Sequence, residues 1–132
     1  MEDAEPCRWL KLAVNAAINA IAAILQVPNG VVADVGYARD LARAVVAEVV
    51  RVADALGVEV PADPFEEVLR VAAATAGDVS STARDLAQCG KAEVDFINGA
   101  VVKCGEVLGV ATPVNAALLQ LIKTREALCG RG

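Results

Sequence analysis

Apolar residues recur at helical spacing along almost the whole chain, and no stretch keeps the strict alternation of a strand. The first such stretch predicts a helix that starts near Pro6, a favoured first-turn residue, and stops before the Pro28-Asn29-Gly30 turn. A second runs from about Tyr37 to Leu56, with Leu41, Val45, Val49, Val52 and Leu56 on one face, Glu48 and Arg51 elsewhere, and Gly57 as its stop. Asp63-Pro64-Phe65-Glu66 is a start signal: Asp63 can cap, Pro64 suits the first turn and Glu66 can reach back. That third helix runs to about Thr75 and closes at Gly77, and either Ser80 or Ser81 can cap a short fourth. Val94, Ile97, Val101, Cys104 and Leu108 line a fifth helix ending at Gly109. Thr112-Pro113 opens a sixth, whose core face is Val114, Leu118, Leu121 and Ile122 and which ends near Gly130. The expectation is an all-α bundle of six helices with short loops, a single domain over residues 1–132.

One row breaks the apolar pattern. Lys11, Asn15 and Asn19 lie four residues apart, so they share a helix face and drift only about 80° around it. Asn29 follows in the turn. Amide and ammonium groups set among Leu12, Ala13, Val14, Ala16, Ala17, Ile18, Ala20 and Ile21 are costly unless hydrogen-bonded, so the stripe asks for a partner, protein or ligand. Taken alone, each residue also has a plain structural reading. A Lys near a helix start is usually solvated, a buried Asn usually serves the backbone, Ser81 suits a cap, and Glu93 with Asp95 suits a first-turn dipole. Asn98-Gly99 reads as close helix packing.

The chain is 56% apolar but only 3% aromatic, so its core must be built from Ala, Val, Leu and Ile, which suits closely packed helices. A net charge of −5 argues against nucleic acid and against an anionic membrane surface. The uncharged run Leu12–Val27 falls short of a membrane span of about 20 apolar residues, contains Asn15, Asn19 and Gln26, and follows an acidic opening where a signal peptide would be basic. It reads as a buried soluble helix, with the cytoplasm as the default location. Cys7, Cys89, Cys104 and Cys129 form no C-x-x-C pair and there is no histidine, so no structural metal site is expected. The cysteines read as four ordinary thiols, with a Cys89–Cys104 disulfide as the alternative, since intracellular disulfides occur in thermophiles.

Trp9-Leu10-Lys11-Leu12-Ala13-Val14-Asn15-Ala16-Ala17-Ile18-Asn19, Val27-Pro28-Asn29-Gly30, the block from Ser80-Ser81-Thr82-Ala83-Arg84-Asp85 through Glu93-Val94-Asp95-Phe96-Ile97-Asn98-Gly99, and Gly109-Val110-Ala111-Thr112-Pro113-Val114-Asn115 together resemble the C-terminal domain of the ketopantoate reductase (2-dehydropantoate 2-reductase) family. The likeness runs from Trp9 to about Lys123. It implies a helical domain of the 6-phosphogluconate dehydrogenase C-terminal-domain-like fold. It also implies reduction of 2-dehydropantoate to (R)-pantoate with NADP(H), on the way to pantothenate and coenzyme A. By this resemblance Lys11 is the general acid, Asn15, Asn19, Asn29 and Ser81 contact substrate, and Glu93 lies near the junction of cofactor and substrate. The chain departs from the family at Thr82, where Met commonly follows the serines, and at Ala92, where Thr often precedes the acidic residue.

No Gly-x-Gly-x-x-Gly after a strand appears, so nothing resembles the family's N-terminal Rossmann half. The expected partners are therefore a small 2-oxo or 2-hydroxy acid, a separate Rossmann domain and, as is frequent in the family, a second copy in a homodimer. The chemistry suits the residue types. Hydride delivery builds charge on a ketone oxygen, which an ammonium can stabilise and protonate. Neutral Asn side chains orient hydroxyl and carbonyl groups without a competing charge. The substrate carboxylate would suit the Ser81 hydroxyl and nearby N–H groups. A second expectation is a helical binding or assembly module that retains the pocket without redox work.

Overall fold

The computed structural model describes residues 4–61, 63–90 and 93–129. Helix α1, Ala4–Leu25, is the axis of the fold because its small side chains admit neighbours closely. Ala13, Ala16, Ala17, Ala22 and Ala23 are fully buried. Around α1 pack α3 (Gly36–Ala55), α4 (Pro64–Ala74), α5 (Ser81–Ala87) and α7 (Pro113–Leu128). A single turn α2 (Val31–Asp34), a 3-10 turn (Glu93–Phe96) and α6 (Asn98–Leu108) complete it, and no strand occurs among the described residues.

Among the described residues seven α-helices are present where six were expected. The added one, α2, forms because the chain leaving Pro28 winds once, with Val31 N–H bonding to Pro28 O and Asp34 N–H to Gly30 O. The expected fifth helix is broken at Ile97 into the 3-10 turn and α6. The break accompanies the inward turn of Asn98, whose Nδ2 donates to Ala16 O at 3.3 Å and to Asn115 Oδ1 at 2.9 Å.

Two starts follow local rules. Asp63 accepts from the Phe65 and Glu66 amides, and Ser80, rather than Ser81, accepts from Ala83 N–H. The start of α7 does not. Thr112 makes no capping bond. Instead the carboxylate of Glu48 reaches across from α3, Oε2 accepting from Val114 N–H at 2.8 Å and Oε1 from Asn115 N–H at 2.9 Å and Asn115 Nδ2 at 2.8 Å. Glu48 is only 2% exposed, so its expected place off the apolar face is corrected: the orphan N–H groups at a helix start satisfy a buried anion that would otherwise be costly. Conversely Leu41, Leu56 and Leu121, expected on core faces, are exposed, while Ala42, Val46 and Asn115 take the inward positions. On α3 the fully buried Ala42, next to Leu41, lets α1 and α3 approach closely.

The thiol expectation is overturned. Cys89, just past α5, is bonded to Cys129 at the end of α7, with Cα atoms 5.4 Å apart, while Cys7 and Cys104 are free. Cys104, the expected alternative partner, lies on α6 and stays unpaired. The stretch Pro6–Leu25 is long and apolar enough to cross a membrane, but 56% of an 18-residue window within it is buried inside the fold, as in a core helix.

Candidate functional site

The polar stripe of α1 lies at the boundary of the core. Lys11 is exposed, Asn15 and Asn19 are half-buried, and among the described residues none of the three side chains is hydrogen-bonded. Lys11 and Asn15 line a groove of 260 Å³ between α1 and α4, together with Leu10, Val14, Glu67 and Val71. Glu67 brings the one carboxylate of this lining. Arg70 hydrogen-bonds it, Nε to Oε1 at 3.0 Å, and so holds that carboxyl below its ordinary value and ionised at neutral pH. A cation, a fixed anion and a free amide thus share one apolar-walled groove.

Asn29 is 9% exposed and ties two connections together. Its Nδ2 donates to Thr75 Oγ1 at 3.0 Å, its backbone N–H donates to Asp78 O at 3.0 Å, and Gly30 N–H donates to Ala76 O at 3.1 Å. Gly30 is required by closeness: a Cβ there would stand 2.9 Å from the Ala76 Cβ. The loop so anchored leads directly to the Ser80 cap and to Ser81, which is exposed. Gln26 holds the same region from the other side, its Nε2 donating to Ala83 O at 3.1 Å. Two buried oxygens here have no partner, Asn29 Oδ1 and Thr82 Oγ1.

The matching family model, described as ketopantoate reductase PanE/ApbA C terminal, covers residues 3–126. The chain belongs to the ketopantoate reductase family. Among relatives, this ketopantoate reductase domain is 67% identical over 132 residues to the 2-dehydropantoate 2-reductase of Pyrobaculum aerophilum, matching 100% of this chain and 47% of that protein. The crystal structure of a PanE/ApbA family ketopantoate reductase from Ralstonia eutropha JMP134 superposes with a TM-score of 0.85 at 37% identity, over 90% of this chain and 40% of that one. A ternary structure of D-mandelate dehydrogenase with NADH and anilino(oxo)acetate matches with a TM-score of 0.81 at 27% identity, over 92% of this chain and 52% of that one. The chain spans about half the length of the curated relatives it matches.

Of the candidate residues, the structure brings Lys11 and Asn15 to one groove and links Asn29 to the loop that delivers Ser81. Asn19 lies one turn beyond Asn15 on α1, and neither it, Asn29 nor Ser81 borders the groove. Glu93 begins the 3-10 turn, but its side chain, like Ala92, lies outside the described residues. Sequence reasoning missed Glu67 and Thr75. The spacing Glu67-x-x-Arg70 carried a signal, an ion pair at helical register, whereas Thr75 looked like nothing more than a helix end.

Proposed function

We propose that this domain is the substrate-binding and proton-donating part of an NADPH-dependent 2-dehydropantoate reductase, working in the cytoplasm. The observation that carries the reading is the family's polar stripe: among the described residues Lys11, Asn15 and Asn19 have no hydrogen-bond partner, and Asn29 has a buried, unpaired carbonyl oxygen. A buried acceptor left unpaired, beside polar side chains gathered on one face of α1, is what a ligand would satisfy. In the D-mandelate dehydrogenase relative, NADH and an oxo acid derivative accompany the same fold.

No glycine-rich turn that cradles a dinucleotide follows a strand in this sequence, and in this reading a Rossmann domain brings the cofactor. That cofactor supplies hydride to the ketone carbon. The Lys11 ammonium stabilises the charge that builds on the ketone oxygen and donates the proton that completes the alcohol. Asn15, Asn19 and Asn29 orient the hydroxyl and carbonyl groups of the acid, Ser81 donates to its carboxylate, and the family resemblance assigns Glu93 to the junction of cofactor and substrate. Joining this chain to the Rossmann half of the Pyrobaculum aerophilum relative should give NADPH-dependent reduction of 2-dehydropantoate. Lys11→Ala should cut kcat at least 100-fold, the scale of a lost general acid. Full activity in that variant, or none in the parent, refutes the assignment.

A second reading, a helical assembly module, has its own observation. Leu56, Ala100, Lys103, Cys104, Val107 and Leu108 line an open apolar groove of 380 Å³, with Val107 81% exposed. Such a surface favours self-association as a homodimer. A mass measurement in solution decides: a dimer indifferent to pantoate favours assembly alone, and a monomer removes this reading.

A further inference from the structure

Resting on the functional reading above, we infer that Thr75 is a positioning residue that makes the site select acids carrying a hydroxyl group. The argument concerns the direction of one hydrogen-bond chain. Thr75 Oγ1 lies 2.7 Å from Val71 O, and two oxygens approach that closely only with a proton between them, so the hydroxyl donates to Val71. A hydroxyl has one proton. Thr75 Oγ1 can therefore only accept from its other neighbour, Asn29, which must turn its NH2 toward it at 3.0 Å.

An amide has two ends, and fixing one fixes the other. With Nδ2 committed to Thr75, the carbonyl oxygen Oδ1 is what Asn29 presents on its far side, and it is buried without a partner. A buried acceptor is matched by a donor and mismatched by a second acceptor, so the ligand group that meets it is a hydroxyl, not a carbonyl or carboxylate oxygen. The backbone bonds of Asn29 and Gly30 to Asp78 and Ala76 hold the turn in register, and the bond to Thr75 is what orients the amide within it. Thr75 touches no substrate in this scheme. It sets the polarity of a residue that does.

The test uses the reductase reconstituted from this chain and a Rossmann half, with two substrates: 2-dehydropantoate and trimethylpyruvate, the same acid without its hydroxyl. Thr75→Val keeps the shape but removes the acceptor, and frees the Asn29 amide to rotate. KM for 2-dehydropantoate should rise about tenfold while KM for trimethylpyruvate changes less than about twofold, the difference one neutral hydrogen bond makes. Thr75→Ser should restore the preference. Equal losses on both substrates, or a loss confined to kcat, would show Thr75 to be a helix end only and overturn the inference while leaving the functional reading intact. Reduction of neither acid by the parent enzyme would overturn the functional reading and this inference with it. Should the valine variant fail to fold, carbon NMR of the Asn29 side-chain carbonyl decides. Adding pantoate should shift that carbon and leave the Nδ2 protons in place; the opposite pattern refutes the assigned polarity.

Discussion

Replacing Glu48 by Gln isolates the most consequential contact in the fold. The carboxylate accepts three bonds, from the Val114 and Asn115 amides and from Asn115 Nδ2, in a place only 2% exposed. Glutamine has the same shape but a single acceptor, so its NH2 group must confront at least one of these donors. Losing the charge assistance and one bond should cost about 3 kcal/mol. For 132 residues the entropy of unfolding is near 0.28 kcal/mol per degree, so Tm should fall by about 11 °C. Glu48→Ala, which also opens a cavity, should fall further. Differential scanning calorimetry of the three proteins measures this directly. Because Asn115 shares the network, Glu48→Gln and Asn115→Ala together should destabilise by less than their sum. A glutamine variant melting within about 1 °C of the parent would mean that the start of α7 needs no anion, and the account of Glu48 as its cap would be wrong.

Two other outcomes follow from the geometry. The Cys89–Cys129 bond closes a separation of 40 residues, so Cys89→Ser, or added reductant, should lower stability by about 4 kcal/mol and Tm by about 14 °C; four titratable thiols in the untreated native protein would sink this prediction. Gly30→Ala would set a Cβ 2.9 Å from that of Ala76, costing about 1–3 kcal/mol and loosening the Asn29 turn. Faster hydrogen exchange at the Asn29 and Gly30 amides is the check, and unchanged exchange would show the turn to be tolerant.

Much of the fold was readable because its signals are local. Asp63-Pro64 starts α4 and Gly109 ends α6 in a left-handed conformation, as their chemistry dictates within a few residues. The candidate site was half readable. Spacing put Lys11, Asn15 and Asn19 on one face of α1, but only the fold shows that Glu67 of α4 stands in the groove with Lys11 and that Thr75 accepts from the Asn29 amide. Glu67 and Thr75 are ordinary helix residues until another helix is laid against them.

The chain's own order of residues determined its class, the starts of α4 and α5 and the position of the polar stripe, because periodicity and capping act over one or two turns. Tertiary structure decided the rest. Glu48 and Asn115 are 67 positions apart, and Cys89 and Cys129 are 40 apart. Whether a carboxylate is a surface charge or a helix cap, and which two sulfurs meet, depends on how helices dock. Docking is set by the summed packing of alanine-lined faces rather than by any residue's neighbours in sequence.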